Sequence, residues 1–251
     1  MSEWFDDDSF WDTLAPFLFS VGRDDARTET EADALRELLA PTPGAAVLDM
    51  PCGTGRHSAA WAARGFAVTG VDRSPRYLAL AGERAAARGV SVTLEHADMR
   101  AFRRPATFEL ALNLFTSLGY FADPADDIRV LRNIHDSLVP GGRLVVETAG
   151  KEIFARTFRP RTWDQLPGTD QFLLEEHSFA AGLEAVENRW IWIGGAERRE
   201  FRFRLRIYSG AELAAALQAA GFAEVKLHGD LGGAPYDLDA KRLVAVATRR
   251  R

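Results

Sequence analysis

The sequence predicts an α/β fold: a seven-stranded mixed sheet with helices on both faces, preceded by helices and interrupted by an antiparallel β insertion. Three observations carry this reading. Short apolar runs alternate with helical periodicities from about residue 45 to 150, the pattern of a parallel sheet whose strands are buried on both faces. A glycine turn follows the first run directly. Beyond residue 150 the hydrophobic period changes from that of a helix to two, the mark of half-exposed antiparallel strands.

Two helical patterns precede the sheet. One is aromatic (Trp11, Leu14, Phe17, Leu18); the other sets Ala34, Leu35, Leu38 and Leu39 at helical spacing and is stopped by Pro41 and Pro43. Ala45–Leu48 is a continuous apolar run ending in Asp49-Met50-Pro51-Cys52-Gly53-Thr54-Gly55, after which His57–Arg64 reads as helix. Phe66–Val71 leads through Asp72 to a helix over Pro75–Arg88, Val90–Leu94 leads to Asp98, and Phe108–Leu112 leads to Asn113. Ala125–Leu138 is helical until Pro140-Gly141-Gly142, and Arg143–Glu147 is the next strand. Because ligands of wound sheets sit beyond the carboxyl ends of the strands, the strand-end acids Asp49, Asp72 and Asp98 converge on one rim.

Within Lys151–Tyr208, Phe201–Ile207 alternates apolar residues with arginine, and Leu183–Ile193 is rich in aromatic and β-branched residues. Ser209 and Glu212 form a capping-box start for a helix that Gly221 ends. Phe222–Leu227 and Arg242–Thr248 supply a closing antiparallel pair. The expected organisation is an N-terminal helical lid (1–43), a ligand-binding core (44–150), an insertion (151–208) and a closing helix and strand pair (209–251). The insertion would cap the ligand rim as a substrate cap or form a subunit contact, giving a homo-oligomer.

Composition narrows the chemistry. With 251 residues and one cysteine, Cys52, the chain has no internal disulfide framework and no thiolate-rich metal centre, and no metal site is expected. A net charge of −5 argues against a nucleic-acid partner, which demands a concentrated basic face. The N-terminus is acidic and no apolar run approaches the roughly 20 residues that span a bilayer, so no membrane association and a cytoplasmic location are expected. A small-molecule partner is favoured.

The turn Gly53-x-Gly55-x-x-Ser58 lacks the third glycine of a dinucleotide fingerprint, and Asp49 before it would oppose a pyrophosphate but suit a cationic ligand. Asp72 stands where a carboxylate accepts both hydroxyls of a ribose. Asp98 and Met99 add an acceptor and a flexible apolar wall for an adenine. Together they describe an adenosine with a charged amino-acid tail.

These residues resemble the class I S-adenosylmethionine-dependent methyltransferases, whose cores have a Rossmann-like sheet. The resemblance runs through Val47–Gly55, Val68–Asp72, Ala97–Met99, Leu112–Gly119 and Leu138–Glu147 in family order, and resumes at the terminal strand pair. Within the class the chain is most similar to glycine N-methyltransferase-like and small-molecule N-methyltransferases. The resemblance implies S-adenosylmethionine as cofactor, S-adenosylhomocysteine as product, and a small-molecule acceptor methylated at nitrogen. It also implies that Arg27 of the Arg27-Thr28 pair, 22 residues before Asp49, binds the cofactor carboxylate. Pro51 and Leu114 would lie against the amino-acid tail, Asp72 on ribose with Arg73 beside it, and Asp98 and Met99 on adenine; Asp49, Gly53 and Gly55 complete the turn.

The methyl group of a sulfonium is already activated, so proximity and a dry site suffice for an amine, whereas a hydroxyl acceptor needs a base. No catalytic base is identified; Tyr120 and His177 are the candidates, His177 beside Glu175 and Glu176 in the insertion. Trp11, Phe17, Phe115 and Tyr120 are the rings that would face the sulfonium. Plainer readings stand beside these. His57 reads as a solvated or capping residue, His177 as a surface strand histidine, and Cys52 as a small residue fitting a tight turn. Arg202, Arg204 and Arg206 read as a solvated strand face, and Trp190 and Trp192 as either core or acceptor pocket. The rival functions are an NAD(P)-dependent oxidoreductase of similar topology and a non-catalytic cofactor-binding scaffold.

Overall fold

The computed structural model describes residues 3–19 and 25–251, so residues 1, 2 and 20–24 of the expected 1–43 segment lie outside the described residues. After a 3-10 turn at Trp4–Asp6 come helices α1 (Asp8–Phe19) and α2 (Asp25–Leu39). The wound core follows as β1 (Ala46–Asp49), α3 (Arg56–Ala63), β2 (Ala67–Asp72), α4 (Pro75–Ala87), β3 (Thr93–His96), β4 (Phe108–Asn113), α5 (Pro124–Ser137) and β5 (Leu138–Thr148). Next are α6 (Lys151–Thr157), β6 (Arg161–Gln165), β7 (Gln171–Phe179), β8 (Ala185–Gly194) and β9 (Glu197–Arg206). The chain closes with α7 (Gly210–Ala219), β10 (Glu224–His228) and β11 (Leu243–Thr248).

Seven strands form one sheet in the order β10-β11-β5-β4-β1-β2-β3, with β11 antiparallel to both of its neighbours. The apolar runs lack alternation because both faces are covered. Val47 packs with α2 and α3 on one face, through Leu35, Leu39 and Trp61, while the next residue, Leu48, packs with Val130, Leu131 and Leu217 of α5 and α7 on the other. The same switch runs along β5, where Leu144 and Val146 share Leu48's cluster and Val145 joins Val47's. Each such side chain, fully buried, stabilises the sheet by about 1.5–3 kcal/mol.

The helices begin where the sequence signals them. Ser74 caps α4, its hydroxyl accepting from the Tyr77 N–H at 3.3 Å, and Ser209 with Glu212 makes the reciprocal capping box of α7. The third strand lies later than the apolar run suggested, at Thr93–His96, and β5 starts at Leu138, because the Pro140-Gly141-Gly142 stretch continues as extended chain. The insertion is not wholly β. It opens with α6, whose Glu152 accepts from the Gly210 N–H and the Tyr236 hydroxyl, partners 58 and 84 positions away. No local pattern announces such a contact.

β6–β9 form a separate four-stranded antiparallel sheet in sequence order. Its apolar face, with Leu173, Trp190, Phe201 and Phe203, packs on Phe10, Leu14 and Phe17 of α1. Its base is tied to the β4–α5 loop by the Arg206 N–H donating to Gly119 O at 2.9 Å and by Asp127. The wholly buried Asp127 carboxylate accepts from the Tyr208 hydroxyl at 2.6 Å, Arg206 Nη1 at 2.9 Å and the Gly119 N–H at 3.1 Å. Among the described residues no helix is long and apolar enough to cross a membrane.

Candidate functional site

The strand order reverses at β1, which lies between β2 and β4. Beyond the carboxyl ends of these strands lies a cavity of about 400 Å³. Its floor is the β1–α3 turn with Asp49, Pro51, Cys52, Gly53, Thr54, Arg56 and His57; one wall carries Asp72, Arg73, Tyr77, Asp98 and Met99, and another carries Leu114, Phe115, Ser117 and Tyr120. Phe5, Asp6, Asp8 and Trp11 line it from the N-terminal segment.

The two glycines of the turn do different work. Gly53 has φ +52° and a Cβ there would meet no atom within 4 Å, so its left-handed conformation leaves the backbone open toward the cavity. Gly55, at φ +72° and at the N-cap of α3, does not line the cavity; a Cβ would lie 2.6 Å from Ala81 Cβ, so this glycine lets α4 close on the turn.

Each strand-end carboxylate has its own surroundings. Asp49 is buried and accepts from the Ser58 hydroxyl at 2.6 Å; burial pushes its carboxyl up to about 6. Asp72 accepts from the Gly53 N–H at 2.8 Å on one oxygen and from the Ser74 N–H at 2.9 Å on the other, and burial raises its pKa against those bonds. Asp98 is more open. Burial opposes its ionisation, but Arg100, with Nη2 at 2.6 Å, holds it below the usual carboxylate range. The Arg100 guanidinium also pairs with Glu3 at 2.8 Å and lies 4.5 Å from the Phe121 ring centroid. Arg73 pairs with Asp6 and donates to Phe5 O, while Arg76 pairs with Asp12. Three arginines thus fasten the acidic N-terminal segment across the cavity.

Of the residues singled out from sequence, the cavity brings together Asp49, Pro51, Gly53, Asp72, Arg73, Asp98, Met99, Leu114 and Tyr120. Tyr120 stacks among Trp4, Trp11 and Phe5, with its centroid 4.8 Å from that of Trp4. Phe17, Gly55, Arg27 and His177 do not line it. Phe17 is core between α1 and the insertion sheet. Arg27 Nε lies 3.1 Å from Glu31 Oε1. His177 is on β7 with Nδ1 2.8 Å from Asn188 Oδ1, in a separate hollow of the insertion. Trp190 and Trp192 pack, partly buried, against the α1 cluster and do not line this cavity. No residue of 151–208 lines the cavity; the insertion reaches its walls through α1, through Trp4 and through the β4–α5 loop.

Two wall residues, His57 and Arg56, escaped the sequence reading, and a third, Phe115, was named there only for its ring. His57, read as solvated or capping, is buried; its Nε2 lies 3.3 Å from Glu31 Oε2, out of line for a hydrogen bond, and burial pushes its pKa down to about 4. Arg56 donates to Glu31 Oε2 at 2.6 Å, and the other oxygen of that carboxylate receives Arg242 at 3.0 Å, which also pairs with Glu147 at 3.5 Å. Phe115 holds φ +64°, unusual for an aromatic residue, with its N–H on Glu147 Oε2 at 2.7 Å. Such backbone strain points to a functional loop. No period-based signal marks the burial of His57, the pairing of Arg56 or the backbone of Phe115.

Comparison with known proteins agrees with this geometry. Residues 47–142 match the family model described as a methyltransferase domain. The dTDP-3-amino-3,6-dideoxy-alpha-D-glucopyranose N,N-dimethyltransferase of Streptomyces fradiae is 32% identical over 126 residues, 50% of this chain and 48% of its own length. The chain thus spans about half the length of the curated relatives it matches. Among solved structures, the CcbJ methyltransferase from Streptomyces caelestis superposes with TM-score 0.78 at 24% identity over 96% of this chain and 98% of that one. S-adenosylmethionine-bound CalS10, an amino pentose methyltransferase from Micromonospora echinaspora, gives TM-score 0.67 at 28% identity over 91% and 92%.

Proposed function

We propose, from the methyltransferase-domain match of residues 47–142, that the chain is a class I S-adenosylmethionine-dependent methyltransferase that methylates an amine nitrogen of a small molecule. The observation that carries the reading is the joint presence, in one cavity of about 400 Å³, of Asp49, Asp72 and Asp98 with the open backbone at Gly53. These residues fit the cofactor. Asp72 takes the ribose hydroxyls, Asp98 and Met99 take the adenine, and Pro51 and Leu114 wall the amino-acid tail. Arg56, on the cavity floor, meets the tail carboxylate, and Asp49 faces its cationic amino end. When bound, S-adenosylmethionine supplies a methyl group activated by its sulfonium.

The rest is done by the chain's own side chains. Trp11, Phe115 and Tyr120 exclude water and present ring faces that suit a cation, a contact worth about 0.5–2 kcal/mol each. Asp8 on the lining attracts a protonated amine to the mouth, Asp6 being paired with Arg73. The amine gives its proton to water there and enters as a free base. No strong base is then required, and holding donor and acceptor in line contributes about 7–11 kcal/mol. The Streptomyces fradiae relative is named for an amino-sugar acceptor, which supports nitrogen chemistry on a sugar-sized molecule here.

Calorimetry with S-adenosylhomocysteine and with NADH, followed by transfer assays on amine and phenol panels, tests this. The expected result is S-adenosylhomocysteine binding that Asp72→Ala weakens at least about tenfold, no response to NADH, and product from amines. Binding of NADH alone would mark an oxidoreductase, and binding without turnover on either panel would mark a scaffold.

A further inference from the structure

Tyr77 lies in the first turn of α4, on the cavity wall, five positions beyond Asp72. Its ring meets Trp11 edge-on at 6.0 Å and Phe19 at 5.6 Å between centroids. The residue is only 6% exposed, and its hydroxyl is buried with no hydrogen-bond partner among the described residues. Buried phenols nearly always find a partner, and an orphan one destabilises the fold that holds it. An orphan on a ligand cavity awaits the ligand.

The chemistry of that ligand follows from the neighbours. Both oxygens of Asp72 already accept one backbone N–H each, yet each has acceptor capacity left, and Asp72 lines the same cavity as Tyr77. The Asp72 charge adds to burial in holding the Tyr77 phenol protonated. A vicinal diol brought to Asp72 uses its hydrogens as donors to the carboxylate, and its oxygens then lack a donor of their own. Tyr77 can donate; Asp72 cannot.

We propose that Tyr77 is a cofactor-binding residue whose hydroxyl donates to a ribose oxygen of S-adenosylmethionine while the ribose hydroxyls donate to Asp72. The inference rests on the methyltransferase reading and adds to it a residue that no motif marked. It also links the cofactor to the N-terminal segment, because the ring that serves the ribose is the one that Trp11 and Phe19 pack against.

The test measures binding of S-adenosylhomocysteine and of its 2′-deoxy and 3′-deoxy analogues to wild type and Tyr77→Phe, with urea unfolding of both ligand-free proteins. Tyr77→Phe should raise the Kd for S-adenosylhomocysteine about five- to twentyfold. One of the deoxy analogues should bind both proteins equally within about twofold. The ligand-free variant should be as stable as wild type or more so, since it loses an unpaired buried group. A residue that merely packs would instead lose stability and affinity together, and that result overturns the proposal. So does an unchanged Kd, or a loss of equal size for all three ligands. If wild type itself ignores S-adenosylhomocysteine, the methyltransferase reading falls and this proposal with it; if wild type binds and the variant matches it, only the Tyr77 assignment falls.

Discussion

Gly55→Ala tests whether the second glycine of the turn serves packing or the ligand. Its backbone has φ +72°, which costs an L-residue about 1–2 kcal/mol. The added Cβ would lie 2.6 Å from Ala81 Cβ and 2.9 Å from Ala81 Cα, inside the distance at which neighbours must move. Ala81 is buried in the middle of α4, so relief requires shifting a helix, a cost of about 1–3 kcal/mol. The expected loss is therefore about 2–5 kcal/mol. Gly53→Ala is the control, because its φ is +52° but nothing lies within 4 Å of its Cβ, so only the backbone cost of about 1–2 kcal/mol applies. Urea unfolding of the ligand-free proteins, with slopes checked for equality, reads both values. A Gly55→Ala protein within about 1 kcal/mol of wild type, or less affected than Gly53→Ala, would refute the packing argument.

Asp49 binds its proton more tightly folded than unfolded, its pKa moving from 3.8 to about 6, so its contribution to stability declines as pH rises from about 4 to about 6. Asp49→Asn should therefore make the ligand-free protein more stable at pH 7.5 by an amount on the order of 3 kcal/mol, with the gap closing by pH 4; a pH-independent difference in urea midpoint contradicts this. Asp127→Asn breaks a buried pair and turns amide hydrogens toward the Tyr208 and Arg206 donors, and should cost about 3–5 kcal/mol in the same assay. Unchanged stability would show that the 115–121 loop does not depend on this carboxylate. Arg56→Ala should weaken S-adenosylhomocysteine binding more than Arg27→Ala does, since Arg56 lines the cavity and Arg27 pairs with Glu31 outside it; titration calorimetry that ranks them the other way restores the Arg27 assignment.

The legible parts of this molecule are those where one residue's neighbours along the chain report its surroundings. Val47 and Leu48 read as a strand because both must leave water, and they do so on opposite faces. The place of Asp72 and Asp98 on one cavity wall was legible because topology forces the strand ends to one rim. Ser209 and Glu212 read as a helix start because the cap spans only four residues. His57 was illegible for the opposite reason. Helical spacing says nothing about whether a face meets solvent or a buried Glu31 from another helix. The aromatic stripe of the insertion likewise announced a buried face without saying that α1 would be what it buries against.

Sequence alone determined the order of strands and helices in the wound core, the glycine turn and the acids at the strand ends, since hydrophobic period and turn chemistry are local properties; α6 was not among them. Only the tertiary structure decided that Gly55 meets α4 and does not line the cavity, that Arg56, His57 and Tyr77 do line it, and that the insertion braces the N-terminal helix with none of its own residues in the lining. The reason is physical: a pattern records which side chains must leave water, whereas the partner each one meets depends on how distant elements pack together.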